Sequence, residues 1–289
     1  MNILPSAGRW LAGAMIALAV CPGFAQAKTS VWKVTAPDGK VLYLGGTVHR
    51  LRSKDYPLPA AYNRAFELSQ RLAFEVSPDK LSTSPERWEK AGLYPAGDEL
   101  RRHVDPRTYD YVAKVFGRMG VPVAKLNRCR PWFLVYLLAS SGGGGGPGVE
   151  DYFTARAQQN SRKVDSLETV EEAMQTFSGL SERQSEALLL VTFIQAKGGE
   201  QKIGSDTVYA AWRNGDADQC ARAIHAEYRD FPAMADRLLN LRNRAWIPKV
   251  ESWIRSGQTY FVLAGAAHFG GSDGLLALLR ARGYQIEQW

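Results

Sequence analysis

Two apolar runs near opposite ends of the chain finish in the same way. Tyr43-Leu44-Gly45-Gly46-Thr47-Val48-His49 and Phe261-Val262-Leu263-Ala264-Gly265-Ala266-Ala267-His268 each read as a strand followed by G-x-x-H. Around the first, residues 31–34 and 41–44 flank Ala36-Pro37-Asp38-Gly39, whose Asp-Gly step is a hairpin signal. A helical pattern over 57–70 leads to a short apolar run, 71–76. Strand, helix, strand at that spacing predicts a βαβ unit with neighbouring parallel strands and a right-handed crossover. Around the second run, the pattern predicts a strand over 259–264, a helix over 275–282 and a last strand over 284–289. Both ends of the chain therefore belong to one sheet.

The middle reads as helices over 109–120, 131–140, 181–197, 206–228 and 232–257, with one short strand at 162–167. Pro248 is expected to kink or split the last of these helices. The expectation is a single α/β domain with a mixed, mostly parallel sheet flanked by helices and a helical insertion in the middle of the chain.

Residues 1–27 stand apart from this pattern. Arg9 is followed by an apolar run from Trp10 to Val20, a breaking Pro22 and the small-x-small site Ala25-Gln26-Ala27. That is the layout of an export signal, which places the mature domain at 28–289, periplasmic or secreted. The run is too short to cross about 30 Å of hydrocarbon, and the mature chain has no transmembrane segment. Lipidation at Cys21 is the lesser alternative. Loss of Arg9 takes the formal charge from +7 to +6, and the basic residues are dispersed among acids, which argues against nucleic acid as a partner. Three cysteines exclude a disulfide-built miniprotein and a four-thiolate zinc site; an exported Cys129 and Cys220 are free to bridge if they lie close.

Four polar residues end candidate strands: His49, Glu75, Glu168 and His268. The carboxyl ends of parallel strands gather at one edge of an open sheet, where ligands bind. If the strands are parallel, two imidazoles and two carboxylates converge. The competing reading makes each His a satisfied surface or core residue and Glu168 a cap for the next helix. Repetition of G-x-x-H favours convergence, and Gly46 and Gly265 allow a tight turn before each His.

The segments Leu44-Gly45-Gly46-Thr47-Val48-His49 and Ala264-Gly265-Ala266-Ala267-His268, with Gly274, Leu275 and Gly283-Tyr284, resemble the TraB/GumN family. That family is related to the TIKI metalloproteases and, remotely, to erythromycin esterases. The likeness extends through Phe74-Glu75-Val76, Pro131-Trp132, Gly148-Val149-Glu150, Leu167-Glu168-Thr169 and Arg242-Asn243, and so covers nearly the whole mature chain. The resemblance implies that the paired histidines are His49 and His268 and the strand-end glutamate Glu75. It further implies supporting roles for Glu150, Glu168, Arg242 and Asn243. One departure is Glu150, which stands before Asp151 where the family often has Asp.

Two neutral imidazoles and a carboxylate suit a divalent Mn, Co, Fe or Zn ion and leave positions open. The TIKI likeness implies metal-dependent peptide hydrolysis, with Glu168 orienting a histidine or serving as base and Arg242 stabilising an oxyanion. The esterase likeness implies a metal-free His–Glu pair acting on a small ester or amide. A catalytically silent protein that binds a peptide or envelope ligand is the third alternative.

Other motifs read as structural. Gly270-Gly271-Ser272-Asp273-Gly274 matches G-x-S-x-G, but no His follows Ser272, so Ser272 or Asp273 is expected to cap the last helix. The Gly142 to Gly146 run lacks the Lys-Ser/Thr of a phosphate loop and reads as a loop near the site. His103, His225 and Trp132 are expected to be structural, and H-E-x-x-H is absent.

Overall fold

A computed structural model describes residues 28–141, 146–196 and 206–289. The proposed leader with Cys21, most of the glycine run and the last residue of the helix expected over 181–197 lie outside the described residues. The first half of the chain forms β1 (Val31–Thr35), β2 (Val41–Thr47), β3 (Arg50–Leu51), α1 (Ala60–Leu68), β4 (Arg71–Phe74), α2 (Pro78–Ser82), α3 (Pro85–Gly92), α4 (Pro106–Arg118), α5 (Val123–Leu126) and α6 (Pro131–Ser141). There follow β5 (Gly146–Pro147), α7 (Val149–Gln159), β6 (Val164–Ser166), α8 (Val170–Ser178), α9 (Glu182–Ala196), α10 (Asp206–Arg213) and α11 (Ala217–Glu227). The last part comprises α12 (Pro232–Ala235), α13 (Leu241–Arg255), β7 (Tyr260–Gly265), α14 (Leu275–Arg280) and β8 (Gln285–Gln288).

Among the described residues the main sheet has the order β6-β4-β7-β2-β1-β8. Strands β6, β4, β7 and β2 run parallel, whereas β1 is antiparallel to both β2 and β8. The mixed, mostly parallel sheet is therefore as expected, with one correction. β2 and β4 are not neighbours, because β7 from the end of the chain lies between them. β7 is buried along nearly its whole length, as a strand covered on both faces must be. Gly45 on β2 makes that pairing possible, since a Cβ there would run into the rings and methyls of Phe261 and Leu263.

Three apolar clusters form the core. One covers a face of the sheet with Tyr62 and Phe66 of α1, Phe153 of α7 and Trp212 of α10. The second covers the opposite face with Trp246 and Val250 of α13 and Leu275 and Leu279 of α14. The third is internal to the helical insertion, where Trp88, Phe116, Trp132 and Leu188 pack together.

Two helical expectations are corrected. The helix expected over 206–228 breaks between α10 and α11, where Gly215 takes a φ of +69°. Asn214-Gly215 is a turn pair that favours such a break. The stretch 232–257 starts as α12, passes through a π-helical segment at Asp236–Asn240 and continues as α13 through Pro248 to Arg255. The irregularity thus falls before Arg242-Asn243 and not at Pro248. Cys129 and Cys220 are separate, buried free thiols.

Candidate functional site

Parallel pairing carries the strand ends to one edge. Beyond β4 and β6 the ladder continues for two more bonds, Leu167 N–H to Phe74 O at 2.8 Å and Glu168 N–H to Glu75 O at 2.9 Å. The two glutamates are therefore backbone neighbours. On the other side of β4, the Gly265 N–H at the end of β7 donates to Glu75 Oε1 at 2.8 Å. His268 follows in a 3-10 turn, Ala266–His268, which places its Nε2 3.7 Å from the same Oε1.

α13 closes this edge with two consecutive residues. Arg242 donates through Nη2 to Glu75 Oε2 and Glu168 Oε1, both at 2.5 Å, and through Nε to Glu168 Oε2 at 3.1 Å. Its Nη1 faces Leu238 O at 3.2 Å and His268 Nε2 at 3.3 Å. All five guanidinium N–H groups are thereby committed. Asn243 donates from Nδ2 to Asp273 O at 2.9 Å, which turns its Oδ1 toward His268 Nδ1 at 2.6 Å. An amide oxygen only accepts, so Nδ1 carries the proton and Nε2 is bare.

The electrostatics agree with that tautomer. Burial, helped by Arg242 and His49 and opposed by Glu75, pushes the His268 imidazole down to about 3, so it is neutral. Burial alone would raise Glu75. Arg242, His268, the Gly265 N–H and His49 outweigh it and hold that carboxyl well below the usual range. Glu168 goes the other way: with 5% of its side chain exposed, burial raises it in spite of Arg242 and Trp246. Arg242 stays charged, because its two carboxylates overcome its own burial.

Of the expected residues, Glu75, Glu168, Arg242, Asn243, Gly265 and His268 meet in this cluster. His49 and Glu150 do not enter its bonding. His49 lies on the turn after β2 with 75% of its side chain exposed, and its Nδ1 is 3.7 Å from Glu150 Oε1. That same oxygen accepts from Thr47 Oγ1 at 2.5 Å, so Glu150, at the start of α7, ties that helix to the end of β2. His49 still acts electrostatically on both Glu75 and His268. Gly46 presents its carbonyl inward to Tyr62 Oη at 2.5 Å and Trp212 Nε1 at 2.9 Å.

Trp246 was missed. One turn beyond Arg242, it donates to Glu168 Oε2 at 3.1 Å and lays its ring 4.5 Å from that of His268. Its i+4 spacing from Arg242 on an apolar helix face was the available signal. Glu168 does not cap α8; Thr169 does, in a capping box with Glu172. Neither Ser272 nor Asp273 caps α14. Gly274 holds that position, and the Asp273 carboxylate is taken by Arg244 at 2.7 Å. His103 stacks on Tyr94 and pairs with Asp98 and Glu182, Trp132 packs in the insertion core, and His225 is exposed on α11.

The model of the TraB/PrgY/gumN family matches residues 30–288, which includes every element from β1 to β8. The chain belongs to the TraB/PrgY/gumN family. No curated protein and no solved structure matches it. Among the described residues, no helix is long and apolar enough to cross a membrane.

Whether this family member's donor set suits a divalent ion can be tested on its geometry. Two atoms bound to one ion at about 2.0–2.2 Å each lie no more than about 4.4 Å apart. His268 Nε2 and Glu75 Oε1, 3.7 Å apart and both unprotonated at neutral pH, meet that condition. The third expected donor, His49, is turned to Glu150, and among the described residues no group of three His, Cys, Asp or Glu side chains is assembled around a common point. The set fits as a pair by its separation, with the Arg242 Nη1–H on Nε2 at 3.3 Å to be displaced by the ion, and is not closed as a triad.

Proposed function

We propose that this exported family member is a hydrolase acting on a carbonyl substrate at the edge formed by β4, β7 and β2, with a divalent ion held by His268 and Glu75 and with His49 as third donor. The observation that carries this reading is the pair itself, an unprotonated imidazole nitrogen and an ionised carboxylate oxygen 3.7 Å apart at adjacent parallel strand ends. A bound Mn, Co, Fe or Zn ion supplies an acidified water and polarises the carbonyl. The chain's own residues prepare the donors. Asn243 fixes the His268 tautomer, and the Gly265 N–H and Arg242 fix the Glu75 carboxylate. Glu168 holds Arg242 in place. With every donor engaged, Arg242 acts by positioning Glu75 and His268, which replaces the oxyanion role expected from the sequence. Peptide bonds are the favoured substrate through the likeness to TIKI proteases.

One observation favours a second reading. Arg242 Nη1, 3.3 Å from His268 Nε2, already supplies that nitrogen with a positive neighbour. A metal-free His–Glu pair acting on an ester or amide then remains open.

Metal content and melting temperature of the purified protein, beside His268→Ala and His49→Ala, decide between the two. Under the first reading Mn²⁺, Co²⁺ or Zn²⁺ at about a hundred times its Kd stabilises the wild type by about 2.7 kcal/mol, and neither variant responds. No bound metal after loading and no shift on titration would favour the metal-free pair, which a screen of ester and peptide hydrolysis then tests.

A further inference from the structure

A cleft of about 330 Å³ runs between α8 and α13 and ends on Glu168 and Arg242, on the side of that pair away from His49. Its lining divides by chemistry. Leu167, Leu241, Ala245 and Trp246 give it an apolar floor and wall. Leu241 is one of few large apolar side chains exposed among the described residues, at 47%, and it stands at this cleft. A single exposed Leu is ordinary by itself; at this concavity it adds to an apolar lining beside a few charged groups, which is the composition of ligand pockets.

The polar lining is divided. Arg237, Arg242 and Lys249 face Glu168 and Glu172, and Arg242 also serves Glu75 behind the cleft, so the positive charge left over is local to Arg237 and Lys249. Arg242 and Glu168 satisfy each other, and the Glu172 carboxylate is held by the Thr169 N–H at 2.7 Å. Among the described residues Arg237 donates only to carbonyls, Thr176 O at 3.0 Å and Gln175 O at 2.8 Å, and no carboxylate pairs with it. Lys249 has no hydrogen-bond or ion-pair partner for its ammonium group among the described residues, although Glu172 feels its charge.

We propose that this cleft takes the C-terminal residue of a peptide substrate, its apolar side chain against Leu241 and Trp246 and its carboxylate toward Lys249 and Arg237. The inference rests on the hydrolase reading for what happens next: Arg242 bonds both Glu168 at the cleft end and Glu75 beside His268. Arg242 is thereby the wall shared by the cleft and that pair. Binding itself needs no chemistry, which keeps the two claims separable.

The test is calorimetric titration of the purified protein with N-acetyl-L-leucine, N-acetyl-L-leucinamide and hexanoate. The acid is expected to bind at least about tenfold more tightly than the amide, because a charge-assisted bond is lost in the latter. Hexanoate separates a peptide end from a plain alkyl carboxylate and is expected to be the weaker acid ligand. Lys249→Glu and Leu241→Asp, both changes at the accessible rim, each weaken the acid by about tenfold or more and leave melting temperature near that of the parent. His49→Ala retains binding of the acid, since that exposed residue neither lines the cleft nor forms a hydrogen bond or ring contact with a residue that does. Equal affinity for acid and amide, undiminished binding by Lys249→Glu, tighter binding of hexanoate, or no binding by the wild type would each overturn the assignment. A protein that binds the acid but neither takes up metal nor hydrolyses substrates would sink the hydrolase reading and leave the cleft assignment standing.

Discussion

Arg242→Met removes the one cation shared by two carboxylates on adjacent strand ends. Glu168 has 5% of its side chain exposed and Glu75 21%, so water compensates little of the lost charge. Removing one partner of a buried ion pair costs about 3–5 kcal/mol. For a domain of this size that is about 6–20 °C in melting temperature. The pH dependence identifies the cause. In the parent, Arg242 is the strongest influence holding Glu75 down against burial. In the variant, burial acts with no guanidinium beside either carboxyl: Glu168 moves further above its unfolded value of about 4.3, and Glu75 rises toward it while the Gly265 N–H still favours its carboxylate. A carboxyl raised in the folded state favours folding at low pH and loses that contribution as pH rises through the folded pKa. The deficit of the variant is thus largest near pH 7.5 and shrinks toward pH 5. Lost packing of the guanidinium on the Trp246 ring, 4.7 Å away, carries no such dependence. Urea unfolding of both proteins at the two pH values measures it. If Arg242→Met is too unstable to purify, Arg242→Met/Glu75→Gln/Glu168→Gln is expected to recover part of the loss. A deficit below about 1 kcal/mol at pH 7.5, or an equal one at both pH values, refutes charge compensation as the role of Arg242.

Three further outcomes follow from the geometry. Asn243→Ala removes the acceptor of the His268 Nδ1 proton and costs about 1–3 kcal/mol; imidazole nitrogen NMR should show the single Nδ1–H tautomer giving way to a mixture. Gly148→Ala drives a Cβ into the His49 carbonyl oxygen and should cost about 1–3 kcal/mol in urea, whereas Gly117→Ala, in open space near the end of α4, should gain about 0.5–1 kcal/mol. Cys129 and Cys220 are buried, which raises their thiols to about 11 and about 12; a thiol reagent should label neither below the unfolding transition and both above it.

The sequence made the strands and their polar ends legible because an apolar run with a Glu or His at its end needs no tertiary information to recognise. Glu75, Glu168 and His268 were found that way. Strand order was not legible in the same manner. Periodicity shows that β7 exists, but its place between β2 and β4 depends on which strand is buried on both faces. Arg242 and Asn243 came only from the family resemblance, since a helical Arg-Asn step is common and nothing local says which way it faces. Its phase is set just upstream by the π-helical turn Asp236–Asn240, where a regular helix would have placed these side chains differently. The break at Gly215 and the Thr169-x-x-Glu172 capping box were present in the sequence as signals and outweighed by longer apolar patterns.

Two motifs with one signature have opposite surroundings, and the sheet explains why. His268 follows the central strand β7, with β4 on one side, β2 on the other and α13 laid across its end. His49 follows β2, where the neighbouring cover is the start of α7 and the side chain is left three-quarters exposed. Identical spacing from a strand therefore does not give identical chemistry. His268→Ala opens a cavity beside Trp246 and strips Asn243 Oδ1 and Arg242 Nη1 of a partner, at a cost of about 1–3 kcal/mol. His49→Ala removes an exposed ring with no hydrogen-bond partner among the described residues, and its effect on stability should stay within about 0.5 kcal/mol. Any loss of metal uptake or hydrolysis in His49→Ala can then be read as function and not as damage to the fold. Urea unfolding of the two variants side by side is the check. If His49→Ala destabilises as much as His268→Ala, the turn after β2 is part of the buried network and the asymmetry argued from strand order fails.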